Sequence, residues 1–223
     1  MTPSTFSQQL WDAAEPIYDA ILVHPFITGL ADGTLPRESF AYFIVQDSHY
    51  LRDYSRALAL TAARAHDEDE VAMFADHAAN AIAVERGLHA ELLGDLELTS
   101  TDVDAAGSGP VTTAYMSYLT AVCATGSYPE AVATVLPCYW IYRQVGHVLE
   151  AGSSPDPLYA RWIATYGSAE VDAIVDRVLS VTDRIGSDLG AAERERCVRH
   201  FRTTARYEWM FWDAAYQRLP WPI

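Results

Sequence analysis

Apolar residues recur at helical spacing along almost the whole chain, and no alternating run bounded by turn residues interrupts them. A helix-period pattern cannot serve a sheet, because as a strand it would scatter its apolar residues over both faces. Helices carrying such stripes bury them against one another. With 223 residues, half of them hydrophobic, the chain can bury a sizeable core. The expected fold class is therefore all-α, a helical bundle of about seven helices. No linker separates domains, so residues 1–223 read as a single domain.

Predicted helices span residues 5–23, 36–65, 68–96, 110–126, 129–151, 157–166, a continuation to 185, and 191–219. Residues 24–36 hold two Gly, two Pro and an Asp-Gly pair, which marks a connector. Thr34 is its expected N-cap, with Pro36 in the first turn that follows. Residues 97–109 are small and polar and read as a mobile loop. The run Asp67-Glu68-Asp69-Glu70 suits a helix N-terminus, where negative charge meets the positive end of the dipole.

The formal charge of −15 sets aside two partner classes. Such a surface repels phosphate backbones and anionic lipid, so neither nucleic acid nor a membrane is an expected partner. No window approaches the length of a membrane span, and residues 1–10 lack the basic and apolar regions of a signal peptide. Three cysteines, none in CxxC spacing, argue against a disulfide framework or a zinc knot. Reduced thiols suit a cytoplasmic protein.

Three helices carry a polar residue inside an apolar stripe. Asp47 falls among Phe40, Phe43, Ile44, Tyr50, Leu51 and Tyr54. Cys138 sits beside Val135, Tyr139, Tyr142 and Val145. Glu208 interrupts Phe201, Thr204, Ala205, Phe211 and Trp212. A buried carboxylate costs several kcal/mol unless it is paired or hydrogen-bonded. Pro137, one residue before Cys138, frees the carbonyl of Ala133 and is expected to bend its helix.

A bundle brings such stripes together, and the neighbouring aromatics are Tyr50, Tyr115, Tyr139, Tyr142, Tyr166 and Phe211. Phenol rings offer stacking faces and hydroxyls. That chemistry suits a flat heteroaromatic ligand with ring nitrogens and an amino group. One carboxylate complements an aminopyrimidine edge, a thiol adds to an electron-poor ring carbon, and a second carboxyl moves protons. Simpler readings stand beside this one. A helix-core cysteine is commonly a small hydrophobe, as expected for Cys123 and Cys197. Asp47 could be half-exposed, Glu208 could pair with Arg202 or Arg206, and the aromatics could be core. Asp76, His77, Glu85 and His89 also suggest a metal site. Yet the spacing is Glu-x-x-x-His, and a second helix supplies no matching pair. A solvated cluster is the favoured reading, and no metal or cofactor is expected.

Five segments in order carry a resemblance. They are residues 24–36, beginning His24-Pro25-Phe26; Gln46-Asp47-Ser48-His49-Tyr50-Leu51; Leu136-Pro137-Cys138-Tyr139-Trp140-Ile141-Tyr142; Trp162-Ile163-Ala164-Thr165-Tyr166-Gly167; and Tyr207-Glu208-Trp209-Met210-Phe211-Trp212. Together they resemble the TenA/thiaminase II family, in its cysteine-bearing branch. The resemblance implies a heme-oxygenase-like helical fold, a homotetramer and an aminopyrimidine aminohydrolase of thiamin salvage. Such an enzyme hydrolyses 4-amino-5-aminomethyl-2-methylpyrimidine, and in many members thiamin, to the hydroxymethyl pyrimidine. By motif, Cys138 is similar to the nucleophile, Glu208 to the acid/base, and Tyr50 to the tyrosine that orients the thiol and raises its nucleophilicity; Tyr50 or a carboxylate is expected to help deprotonate the thiol. Asp47 resembles the residue holding the ring nitrogen and amine. Tyr142 and Tyr166 resemble substrate contacts, and Tyr115 and Phe211 pocket walls. His49 departs from the pattern where tyrosine is common, and Ser168-Ala169-Glu170 departs after Tyr166-Gly167. Two rival expectations remain at this point: a heme-oxygenase-like metal-dependent oxidase using His77, Glu85 or His89, and a non-catalytic pyrimidine-binding protein.

Overall fold

A computed structural model describes residues 4–223, without the side chains of residues 84–90. Every regular element among the described residues is a helix. In chain order these are α1 (Phe6–Leu22), α2 (Pro25–Asp32), α3 (Arg37–Ala62), α4 (Glu68–Asp95), α5 (Ser100–Ala106), α6 (Pro110–Thr125), α7 (Tyr128–Glu150), α8 (Pro157–Tyr166), α9 (Ala169–Asp188) and α10 (Ala191–Gln217).

Helix starts follow local chemistry. Thr5, Asp67, Asp156 and Ser168 each accept from a backbone N–H of the first turn that follows. Thr99 and Ser127 close reciprocal capping boxes with Asp102 and Glu130. Two short helices differ from the sequence expectation. The connector at 24–36 contains α2, capped by His24, whose Nδ1 accepts from the Phe26 N–H at 3.1 Å. Asp213 accepts from the other ring nitrogen at 3.3 Å. The predicted loop at 97–109 contains α5. Thr34 does not cap α3, because its amide and hydroxyl both donate to Asp32, and Pro36 holds the N-cap position without a side-chain bond. Helices of seven or eight residues are too short to show a periodic stripe, and packing stabilises them instead.

Helix α3 runs through the centre and packs on α4, α6, α7 and α10, while α10 also packs on α1, α6 and α7. Phe43 of α3 stacks on Trp212 of α10 with centroids 4.9 Å apart, and Phe26, Trp162 and Phe211 close round the pair. Each such side chain buries roughly 150–250 Å², about 4–6 kcal/mol of gross transfer free energy. This aromatic plug fixes α3 against α10 one turn from Asp47 and Glu208.

Helix α7 continues through Pro137. In the same turn, Tyr54 of α3 donates its hydroxyl to the Val135 carbonyl at 3.0 Å, tying α3 to the segment that carries Cys138. Further along α7, Gly146 meets the end of α8. A Cβ at Gly146 would lie 2.6 Å from the Tyr166 carbonyl carbon and 2.7 Å from its oxygen. The missing side chain thus lets the α8 backbone approach and seats Tyr166. Gly146→Ala should cost about 1–3 kcal/mol in urea denaturation through overpacking, despite the better helix propensity of alanine. A neutral or stabilising result would refute the close-approach account.

Candidate active site

Helices α3, α4, α7, α8 and α9 surround a cavity of about 180 Å³. Asp47, Tyr50 and Tyr54 line it from α3, Cys138, Tyr139 and Tyr142 from α7, and Tyr166 from the end of α8. Val171, Ile174 and Val175 of α9 form an apolar wall, at helical spacing after the Ser168 cap. From α4 come His77, Asn80 and Ala81. The volume slightly exceeds the roughly 150 Å³ that admits one six-membered ring.

The other three expected residues form a layer behind this wall. Glu208 is 1% exposed, and its carboxyl accepts from the Tyr115 hydroxyl at 2.6 Å. The Tyr50 ring packs on Tyr115 at 5.0 Å and on Phe211 at 5.7 Å. Tyr115, Glu208 and Phe211 do not line the cavity. Glu208 pairs with the tyrosine, and Arg202 and Arg206 point to solvent. Asp47 is 3% exposed, so the half-exposed alternative does not hold.

Burial sets the electrostatics. It pushes the Glu208 carboxyl up to about 8, with the Tyr115 hydrogen bond opposing and Asp47 adding to the rise. The Cys138 thiol is pushed well above its usual value by burial and by Glu208; the hydroxyls of Tyr50 and Tyr54 pull the other way. Tyr142 and Tyr166 are likewise held in the protonated form by burial, reinforced by the two carboxyls. The Tyr50 hydroxyl is fully buried beside the thiol and forms no hydrogen bond of regular geometry with the described residues. Cys123 and Cys197 lie in the core, with thiols raised to about 11 and about 12, chiefly by burial, as for small hydrophobes.

His49, the departure in the α3 motif, faces away, with its Nε2 3.0 Å from the Val103 carbonyl of α5. Gln46 accepts from the Gly109 N–H and the Thr112 hydroxyl, both at 2.7 Å. These bonds fasten the 97–109 segment to α3, and none of its residues lines the cavity. Asp76 is exposed, while His77 turns inward and lies 2.9 Å from the Tyr139 hydroxyl through Nδ1. The metal expectation had grouped His77 with Glu85 and His89, whose side chains lie outside the described residues. Among the described residues no three His, Cys, Asp or Glu side chains cluster as metal ligands would. Sequence reasoning missed Tyr54, His77 and Asn80 as wall residues. The signal was there in the stripe Met73, Phe74, His77, Asn80 and Ala81 on α4.

The model of the TENA/THI-4/PQQC family matches residues 11–218. The chain is 33% identical over 219 residues to the aminopyrimidine aminohydrolase of Halalkalibacterium halodurans, covering 97% of this chain and 98% of that protein. Its fold matches the TenA homologue protein from P. horikoshii OT3 with a TM-score of 0.89 and 29% identity, over 96% of this chain and 99% of that one. A domain with a heme oxygenase-like fold from Shewanella denitrificans matches with a TM-score of 0.74 and 15% identity, over 98% and 94% of the two chains. The fold is therefore the heme-oxygenase-like helical bundle.

The buried carboxyl has a consequence for stability. Between pH 4.5 and about 8 the unfolded chain carries Glu208 ionised and the folded protein carries it protonated. Folding then takes up a proton, so this group's contribution falls as pH rises through that window and levels off above it. Glu208→Gln should therefore stabilise the protein increasingly towards pH 8, with a ceiling of about 5 kcal/mol. Urea unfolding across the pH range measures this; a pH-independent difference would contradict it.

Proposed function

The chain belongs to the TENA/THI-4/PQQC family, and we propose that it is an aminopyrimidine aminohydrolase of thiamin salvage. One observation carries the reading: Asp47 and Cys138 face a single-ring cavity walled by tyrosines, backed by the neutral acid Glu208.

In this mechanism the Asp47 carboxyl accepts from the exocyclic amine of 4-amino-5-aminomethyl-2-methylpyrimidine and holds the adjacent ring nitrogen. Tyr142 and Tyr166, packed together at 5.0 Å, present ring faces and hydroxyls to the flat substrate. Tyr50, whose buried hydroxyl lies beside the thiol, orients it in this reading. Cys138 adds through sulfur to an electron-poor ring carbon, forming the S–C bond. The electron pair gained by the ring expels the aminomethyl nitrogen, which leaves as ammonia with a proton supplied from Glu208 in the layer behind the wall. Water adds to the exocyclic methylene, and its released proton restores the Glu208 acid. The C–S bond then breaks, returning the thiol and the hydroxymethyl pyrimidine. Tyr115 holds the Glu208 proton site in place, and Phe211 packs the Tyr50 ring.

The cavity volume favours the single-ring aminomethyl pyrimidine over thiamin, whose second ring must extend beyond it. The homotetramer is proposed from the family resemblance alone, and the free thiols suit a cytoplasmic setting.

Chromatographic assay of the two substrates should give hydroxymethyl pyrimidine from wild type, faster from the aminomethyl compound, and none from Cys138→Ser. Turnover should decline above pH 8 as Glu208 loses its proton. Absence of product from both substrates would defeat the assignment.

A further inference from the structure

The buried thiol needs a base, and in the reading above its neighbours are already engaged. Glu208 enters as an acid with its proton in place, and Asp47 holds the substrate edge. The wall tyrosines keep their protons. The remaining ionisable side chain on the described cavity wall is His77.

Its placement links it to the sulfur. His77 Nδ1 lies 2.9 Å from the Tyr139 hydroxyl. Tyr139 follows Cys138 directly on α7 and meets the Tyr54 ring edge-on at 5.9 Å. Tyr54 lines the same wall as Cys138 and Tyr139, and its hydroxyl lies close enough to influence the ionisation of both without a hydrogen bond of regular geometry to either. It now donates to the Val135 carbonyl, so its lone pairs are open to an incoming proton. A run of hydroxyls therefore leads from sulfur to imidazole.

We propose that His77 is the base that takes the Cys138 thiol proton, passed along the hydroxyls of Tyr54 and Tyr139, and the acid that returns it when the thiol is expelled. The proposal rests on the thiol acting as nucleophile. As the S–C bond forms, the S–H bond breaks and the Tyr54 oxygen accepts the proton. Tyr54 turns its own proton from Val135 to Tyr139, and the Tyr139 proton passes to Nδ1. The imidazole ends protonated and no group changes oxidation state. When the C–S bond breaks, the same protons run back. The groups facing His77 are Asp76 on its own helix, Tyr139 from α7 and Arg177 from α9. Burial and Arg177 favour the neutral ring, against Asp76, so Nδ1 presents a lone pair to the Tyr139 hydroxyl 2.9 Å away.

Alkylation of Cys138 by iodoacetamide, located by peptide mass spectrometry, tests the relay alongside turnover. Wild type, His77→Gln and Tyr139→Phe are compared after their melting temperatures are matched. Both variants should alkylate about 10²-fold more slowly at pH 7, recovering about tenfold per pH unit as hydroxide replaces the base. Their kcat should fall in parallel with little change in KM. If His77→Gln does not fold, Tyr139→Phe, which keeps the ring, decides alone. Wild-type alkylation and kcat in the variants, with Cys138→Ser inactive, would overturn the relay and leave the thiol reading standing. Wild-type turnover by Cys138→Ser would remove both.

Discussion

The chemistry proposed for this molecule depends on a carboxyl held where a charge is unwelcome. Glu208 lies in an aromatic layer between α3, α6 and α10, with one phenol, Tyr115, as its hydrogen-bond partner. Ionising it there is costly, and Asp47 adds a second negative group close by. The carboxyl therefore keeps its proton to about pH 8. A conventional salt bridge from Arg206 would have cancelled this effect, but α10 turns that arginine to solvent. Stability is given up at one position, and in the proposed mechanism the same burial leaves an acid available near neutral pH.

The bundle supplies the rigidity that such a site needs. Phe43 and Trp212 lock α3 to α10, and the Tyr54 hydroxyl locks α3 to α7 beside Pro137. Cys138, Tyr139 and Tyr142 occupy consecutive and one-turn positions on α7. One helix face thus offers the thiol, the hydroxyl bonded to His77, and a stacking ring. Gly146 brings the end of α8 against the same helix and completes the wall with Tyr166. Placement by helices and not by loops holds these groups to fixed separations.

Much of this was legible in the sequence, for physical reasons. Polar residues inside apolar stripes stand out because burying them is expensive, and Asp47, Cys138 and Glu208 were each visible that way. The fold class followed from periodicity. What stayed hidden needs three dimensions. The spacing of Glu208 permitted an arginine partner as readily as the tyrosine on α6, 93 residues away. Helices α2 and α5 are too short for a stripe, and Gly and Pro masked the first of them. His77 was seen, but nearby Asp76, Glu85 and His89 suggested metal ligands. Only the packing of α4 against α7 turns its ring to Tyr139. The layering of Tyr115 and Phe211 behind Tyr50, instead of on the cavity wall, is likewise a product of packing.

Infrared difference spectroscopy of wild type against Glu208→Gln tests the protonated carboxyl most directly. The account predicts a protonated-carboxylic-acid C=O band, present in wild type below pH 8, absent in the variant, and lost above pH 8. A carboxylate signature for Glu208 in neutral solution would contradict it, since the group would then be an ion with no proton to give.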